Sequence, residues 1–259
     1  MRRKPESPGV GIIHASPWKD AAIKLLEPRS PYRPWQPDAV EPGGTVVVVL
    51  DTDPQSVLTA VGFIGRDGDV DRALAKIERY KLGVLFEFAT FNELTQLHMD
   101  DVGYGIFRHA QPDQVVQVVD RYTRPPASAM FGHTSLAAAR ILLKSAGMCA
   151  GCNRPIDLTG ENARDRVHIH TINAGHSETR DWPAVLCDDC HVQIREGGFT
   201  TFLDFRYSLN PPCPQCSAKR TRSTMYGMPA GPVEEPWVAS MGCCVRPYKW
   251  SCSECGHLW

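Results

Sequence analysis

Eight of the ten cysteines fall in four Cys-x-x-Cys pairs, Cys149/Cys152, Cys187/Cys190, Cys213/Cys216 and Cys252/Cys255, and all ten lie beyond residue 148. Two thiolates two residues apart on a tight turn face one ion. Four such knuckles make two tetrahedral four-thiolate sites, the chemistry of structural zinc in a reducing compartment. Redox-active pairs are the competing use of this spacing, but four on one chain rarely serve it. Cys243 and Cys244 have no partner at this spacing and read as buried or free thiols. Spacing alone leaves three ways of sharing four knuckles between two ions.

Between the first two pairs the chain reads Arg166-Val167-His168-Ile169-His170-Thr171, and the second pair sits in Leu186-Cys187-Asp188-Asp189-Cys190-His191. Alternation along a strand puts His168 and His170 on one face. Over residues 135–206 this order resembles the HNH nuclease motif, a ββα-metal module in which zinc holds a hairpin to a helix. The resemblance implies one zinc on Cys149, Cys152, Cys187 and Cys190. It further implies a catalytic divalent cation, Mg²⁺ or Mn²⁺, on His191, and His168 as the base that activates water, with His170 the alternate. A neutral imidazole takes a proton near working pH, and a cation against the scissile phosphate offsets charge. Two positions depart from the family. Val167 stands where a metal-ligating residue is usual, and Trp182 stands at the asparagine that orients the base, with Asp181 beside it as the nearest polar substitute.

The last fifty residues carry the other two pairs and resemble a bacterial zinc ribbon, which implies the second zinc on Cys213, Cys216, Cys252 and Cys255. A sheet this small does not fold without its metal. Lys219, Arg220 and Arg222 follow directly on Cys216 and suit a phosphate contact. Residues 210–259 are the one net-positive segment, with five Lys and Arg against three Asp and Glu.

The elements that must position these groups are short, as 21 Gly and 21 Pro in 259 residues require. Helical pattern runs over 18–26 and again over 133–148, the latter started by Thr134 or Ser135. Gly43-Gly44 opens a strand at 45–50, and after Asp51-Thr52-Asp53-Pro54 the chain returns at 57–64 as a buried hairpin. A helix over 70–80, a strand over 82–88 and helical stretches over 91–97 and 112–122 complete an α+β domain with a mostly β core. Residues 123–132 read as a linker. The order of strands and aromatics across 9–122 resembles an EVE domain of the PUA-like barrel group, whose members read modified bases or RNA. That resemblance makes Trp18, Tyr32, Trp35 and Phe107 candidates for stacking on a flipped base. The expected organisation is thus a reader at 9–122, an HNH module at 133–209 and a ribbon at 210–259.

Composition, 42% hydrophobic and 22% charged with a net charge of −1, suits a globular protein and argues against non-specific coating of DNA. The basic start at Met1-Arg2-Arg3-Lys4 lacks a following apolar run, and no stretch approaches the roughly 20 apolar residues of a membrane span. A cytoplasmic protein without a membrane partner is expected. The combination resembles modification-dependent restriction endonucleases and predicts DNA cleavage, with a homodimer for double-strand cutting. A non-catalytic nucleic-acid-binding adaptor is the alternative, favoured by Val167 and Trp182. A role in RNA processing follows from the barrel group alone.

Overall fold

The computed structural model describes residues 10–34, 45–53, 57–63, 89–90, 131–173, 181–227, 233 and 235–259. The elements expected over 70–80, 82–88, 91–97 and 112–122, and the aromatics Trp35 and Phe107, lie outside them. The architecture is mixed α+β, with small sheets and short helices. The chain divides into two compact units, residues 1–177 with 183–189, and residues 178–182 with 190–259.

In the first unit, β1 (Val10–Ala15), β2 (Thr45–Leu50), β3 (Val57–Phe63) and β4 (Ala89–Thr90) lie side by side in that order. β1 runs parallel to β2, and the β2–β3 hairpin is antiparallel, with its register shifting at Val48/Val49. The described strands make an open sheet, whose inner positions include the fully buried Val48 and Leu50. Helix α1 (Trp18–Leu26) buries Ala21, Ala22, Ile23 and Leu25 and packs on α2 (Ser135–Lys144). Thr134 caps α2, its hydroxyl accepting from the Ala137 N–H. The turn after β2 completes that cap. Asp53 donates its N–H to the Ser135 hydroxyl at 2.7 Å, and its carbonyl accepts from the Leu136 N–H at 3.2 Å. A residue more than eighty positions away thus satisfies one of the donors, the Leu136 N–H, that a helix start leaves open.

Beyond α2 come the short helix α3 (Ala163–Arg166), β5 (His168–His170) and β6 (Ala184–Leu186). β5 and β6 are antiparallel, His168 facing Leu186 and His170 facing Ala184. All three β6 residues are buried, whereas β5 is half-buried, so the hairpin sits on the core through β6 and offers its histidines outward. Helix α4 (Asp188–Glu196) leaves β6 after one residue.

In the second unit α5 (Phe202–Ser208) is followed by a three-stranded sheet in the order β8-β7-β9: β7 (Thr221–Met225), β8 (Val238–Ser240) and β9 (Trp250–Cys252). Its core is aromatic. Trp237 meets Phe202 edge to face at 5.5 Å and Trp182 at 6.4 Å, within the range such pairs favour. Tyr207 closes one side by donating its hydroxyl to the Pro236 carbonyl. Among the described residues no helix is long and apolar enough to cross a membrane.

Candidate functional site

Cys149, Cys152, Cys187 and Cys190 converge, and so do Cys213, Cys216, Cys252 and Cys255, with the sulfurs of each group within 4.8 Å of one another. None of the ten cysteines is in a disulfide. Three knuckles share one construction. The first cysteine's carbonyl accepts from the N–H four residues on, and that residue is left-handed: Asn153 at φ 55°, Ser217 at φ 61° and Gly256 at φ 71°. That turn is what aims both sulfurs of a knuckle the same way. The fourth knuckle, Cys187/Cys190, opens helix α4 instead.

Zinc fits both groups. A tetrahedron with Zn–S bonds of about 2.3 Å has S···S edges of about 3.8 Å. The sulfurs stand 3.9 Å apart for Cys152/Cys187, 3.7 Å for Cys213/Cys255 and 3.6 Å for Cys216/Cys252. The pairing is sequential, first knuckle with second and third with fourth. Backbone donors support the thiolate form. The Cys187 N–H donates to Cys149 Sγ at 3.3 Å, and the N–H groups of Cys255 and Glu254 help pull the Cys252 thiol down to about 7. The Ala218 N–H draws Cys216 the same way, but the facing thiols and burial outweigh it and push Cys216 up to about 12. A bound dication removes that crowding by replacing shared protons. Outside the first group Arg154 hydrogen-bonds Cys152, which raises the guanidinium's pKa. Cys243 and Cys244 are exposed and belong to neither group.

His168 reaches a residue that lies inside the second knuckle. Its Nε2 is 2.7 Å from Asp188 Oδ1, with the two side chains 28% and 54% exposed, so the pair is open to solvent. Asp188 lies inside the second knuckle and begins α4. His170 shares His168's face of β5, and His191, half-buried, follows Asp188 by one turn on α4. The preceding position, Val167, is 1% exposed. Its carbonyl accepts from Lys19 Nζ of α1 at 2.8 Å, and burial there lowers the lysine's pKa. A valine sealed into the core offers no ligand atom. His133, which the sequence did not single out, meets Thr171 just past β5, its Nδ1 2.7 Å from the hydroxyl.

Asp181 is engaged elsewhere. Its Oδ1 accepts from the N–H groups of Trp182 and Phe202 at 2.8 Å and of Leu203 at 3.3 Å, closing the start of α5. Asp181→Ala should therefore lower stability by about 1–3 kcal/mol, the usual cost of leaving part-buried donors unmet. Urea denaturation of the two proteins checks it; an unchanged midpoint would mean that Thr201, which also caps α5, suffices alone. Trp182 packs on Trp237.

Trp18 is half-buried in the first turn of α1. The Tyr32 hydroxyl donates to the Glu161 carbonyl at 2.9 Å and accepts from the Arg164 N–H at 2.8 Å. Lys219 and Arg220 are exposed and Arg222 half-buried. Arg220 reaches over the Tyr207 ring at 5.7 Å and stands 3.6 Å from the Asp204 carboxylate. Compared with models of known protein families, with curated protein sequences and with solved structures, the chain matches none.

Proposed function

We propose that this chain is a metal-dependent DNA endonuclease of HNH type, directed to modified DNA by its N-terminal part. One observation carries the reading. A histidine bonded to a carboxylate sits on a solvent-open hairpin, and the helix that follows the hairpin bears His191 and Cys190, one of the cysteines that would hold a zinc. In this reading His168 takes a proton from a water, and the resulting hydroxide attacks the phosphorus. The bond to the opposite sugar oxygen breaks, and that oxygen takes its proton from solvent. A divalent cation at His191 would neutralise charge on the phosphate and the leaving oxygen.

Specificity belongs to the N-terminal part, since a module that meets DNA through base and cation has little means of reading a nucleobase. The mixed sheet β1–β4 supports a β-rich reader of PUA-like type, in which a flipped base stacks on aromatic side chains. The test uses the full chain, because α1 packs on α2 and an isolated N-terminal fragment would lose that support. Duplexes bearing a modified cytosine or another altered base should bind more tightly than the same plain sequence, and Trp35→Ala should level the two. Equal affinity across such a panel, or preference for structured RNA, would leave a general nucleic-acid binder.

The adaptor reading has its own support in the buried Val167 and in the commitment of Asp181 to α5. Incubation with modified and plain DNA in Mg²⁺ or Mn²⁺ separates the two. Cleavage favours the enzyme, and binding without cleavage the adaptor. A homodimer, two nicks being needed for a double-strand break, accompanies the first reading only.

A further inference from the structure

We infer that Asp188 is a positioning residue for His168, holding the imidazole by Nε2 so that Nδ1 is the nitrogen that takes the water's proton. The inference rests on the nuclease reading above for its consequence, and on local geometry for the contact itself.

Strand register makes the contact. His168 pairs with Leu186 across β5–β6, and Asp188 is two residues further along. The chain turns there into α4, whose first residue brings its carboxylate to the His168 ring. Two constraints then fix the carboxylate. The Cys187 N–H is bonded to Cys149 Sγ, which anchors the residue just before it, and Asp188 is the first residue of α4. The histidine is held as firmly from the other side, because Lys19 pins the carbonyl of Val167. The result is a distance of 2.7 Å between Nε2 and Oδ1, the length of a charge-assisted bond.

A carboxylate only accepts, so Nε2 must carry the hydrogen. The neutral ring then keeps its lone pair on Nδ1, and the tautomer is set by the partner, as for metal-bound and catalytic histidines generally. Asp189, its neighbour, shares the favourable place of an acid in a helix's first turn. What sets Asp188 apart is its bond to the ring. It supplies from the zinc knuckle the orienting group that Trp182 does not offer.

The experiment combines kinetics with a spectrum. In full-length protein labelled with ¹⁵N-histidine, the His168 signals are assigned by their loss in His168→Asn, and two-bond ¹⁵N–¹H correlations read the tautomer. The wild type should show Nε2–H, and Asp188→Ala a mixture. Cleavage by Asp188→Ala should fall by about 10- to 100-fold in kcat, with KM for DNA within about twofold and both zincs retained, and Asp188→Glu should recover part of the loss. A purely structural Asp188 would instead lower zinc content or fold while leaving the tautomer and the kcat of the folded fraction alone. Wild-type kcat in Asp188→Ala, or a tautomer that ignores the substitution, overturns the inference. If the wild type cuts no DNA, the nuclease reading fails, and the spectra alone still decide whether Asp188 sets the ring.

Discussion

On the proposed nuclease reading, a His168→Ala chain is expected to lose DNA cleavage by about 10²–10⁴-fold, the usual contribution of a general base, while keeping its affinity for DNA. The geometry explains why the loss should be confined to chemistry. β5 is held by backbone pairing to β6, and the ring of His168 lies on the outer, solvent-open side of the hairpin. Truncating it opens no hole in the core and removes no cysteine. His191→Ala should also inactivate, through the cation, and there added Mg²⁺ or Mn²⁺ should recover part of the rate, whereas it should not for His168→Ala. Single-turnover cleavage and a DNA-binding isotherm on the same preparations check both. Equal cutting by wild type and His168→Ala would move the activity to His170 or off this hairpin.

The largest effect on stability should come from removing zinc. Apparent binding energies of structural zinc run to about 10–16 kcal/mol in small finger peptides at neutral pH, comparable to or larger than the 5–15 kcal/mol that holds an ordinary domain together. The three-stranded sheet has little else to rely on: three strands of three to five residues, with Cys213, Trp237, Ala239 and Cys252 as the buried apolar side chains among the described residues of 210–259. Metal analysis should find two zincs per chain. Cys216→Ser should lose one of them and melt the ribbon while the first quartet keeps its ion, and Cys149→Ser should do the reverse to the β5–β6 hairpin. Loss of both ions from either single variant, or one zinc per wild-type chain, would contradict two independent sites. A strong chelator should abolish both cooperative transitions in a calorimetric scan.

Features governed by neighbouring residues were legible in the sequence. The knuckles depend on a turn of a few residues, the β2–β3 hairpin on two apolar runs around Asp51-Thr52-Asp53-Pro54, and the start of α2 on Thr134. What could not be read depends on register between distant segments. The 2.7 Å contact of His168 with Asp188 spans 20 positions and requires knowing that His168 faces Leu186. The bond from Lys19 to Val167 spans 148 positions, and nothing in the composition of α1 announces it. Asp181 shows the converse. Its place in the motif suggested a partner for the base, yet the nearest unmet donors were the first N–H groups of α5, and a carboxylate pairs with those when they are within reach.

The tether from Lys19 to Val167, with the Tyr32 hydroxyl bridging Glu161 and Arg164, bears on how such a chain can be recombined. The natural crossover point by composition is the stretch 123–132, between the proposed reader and the proposed nuclease module. A join made there would graft a new recognition half onto a strand whose anchoring lysine had been left behind with the old one. Exchange of specificities at that seam would thus trade away some of the rigidity behind His168. A viable chimera should carry residues 18–34 along with residues 133–209, or rebuild their contacts from the incoming partner.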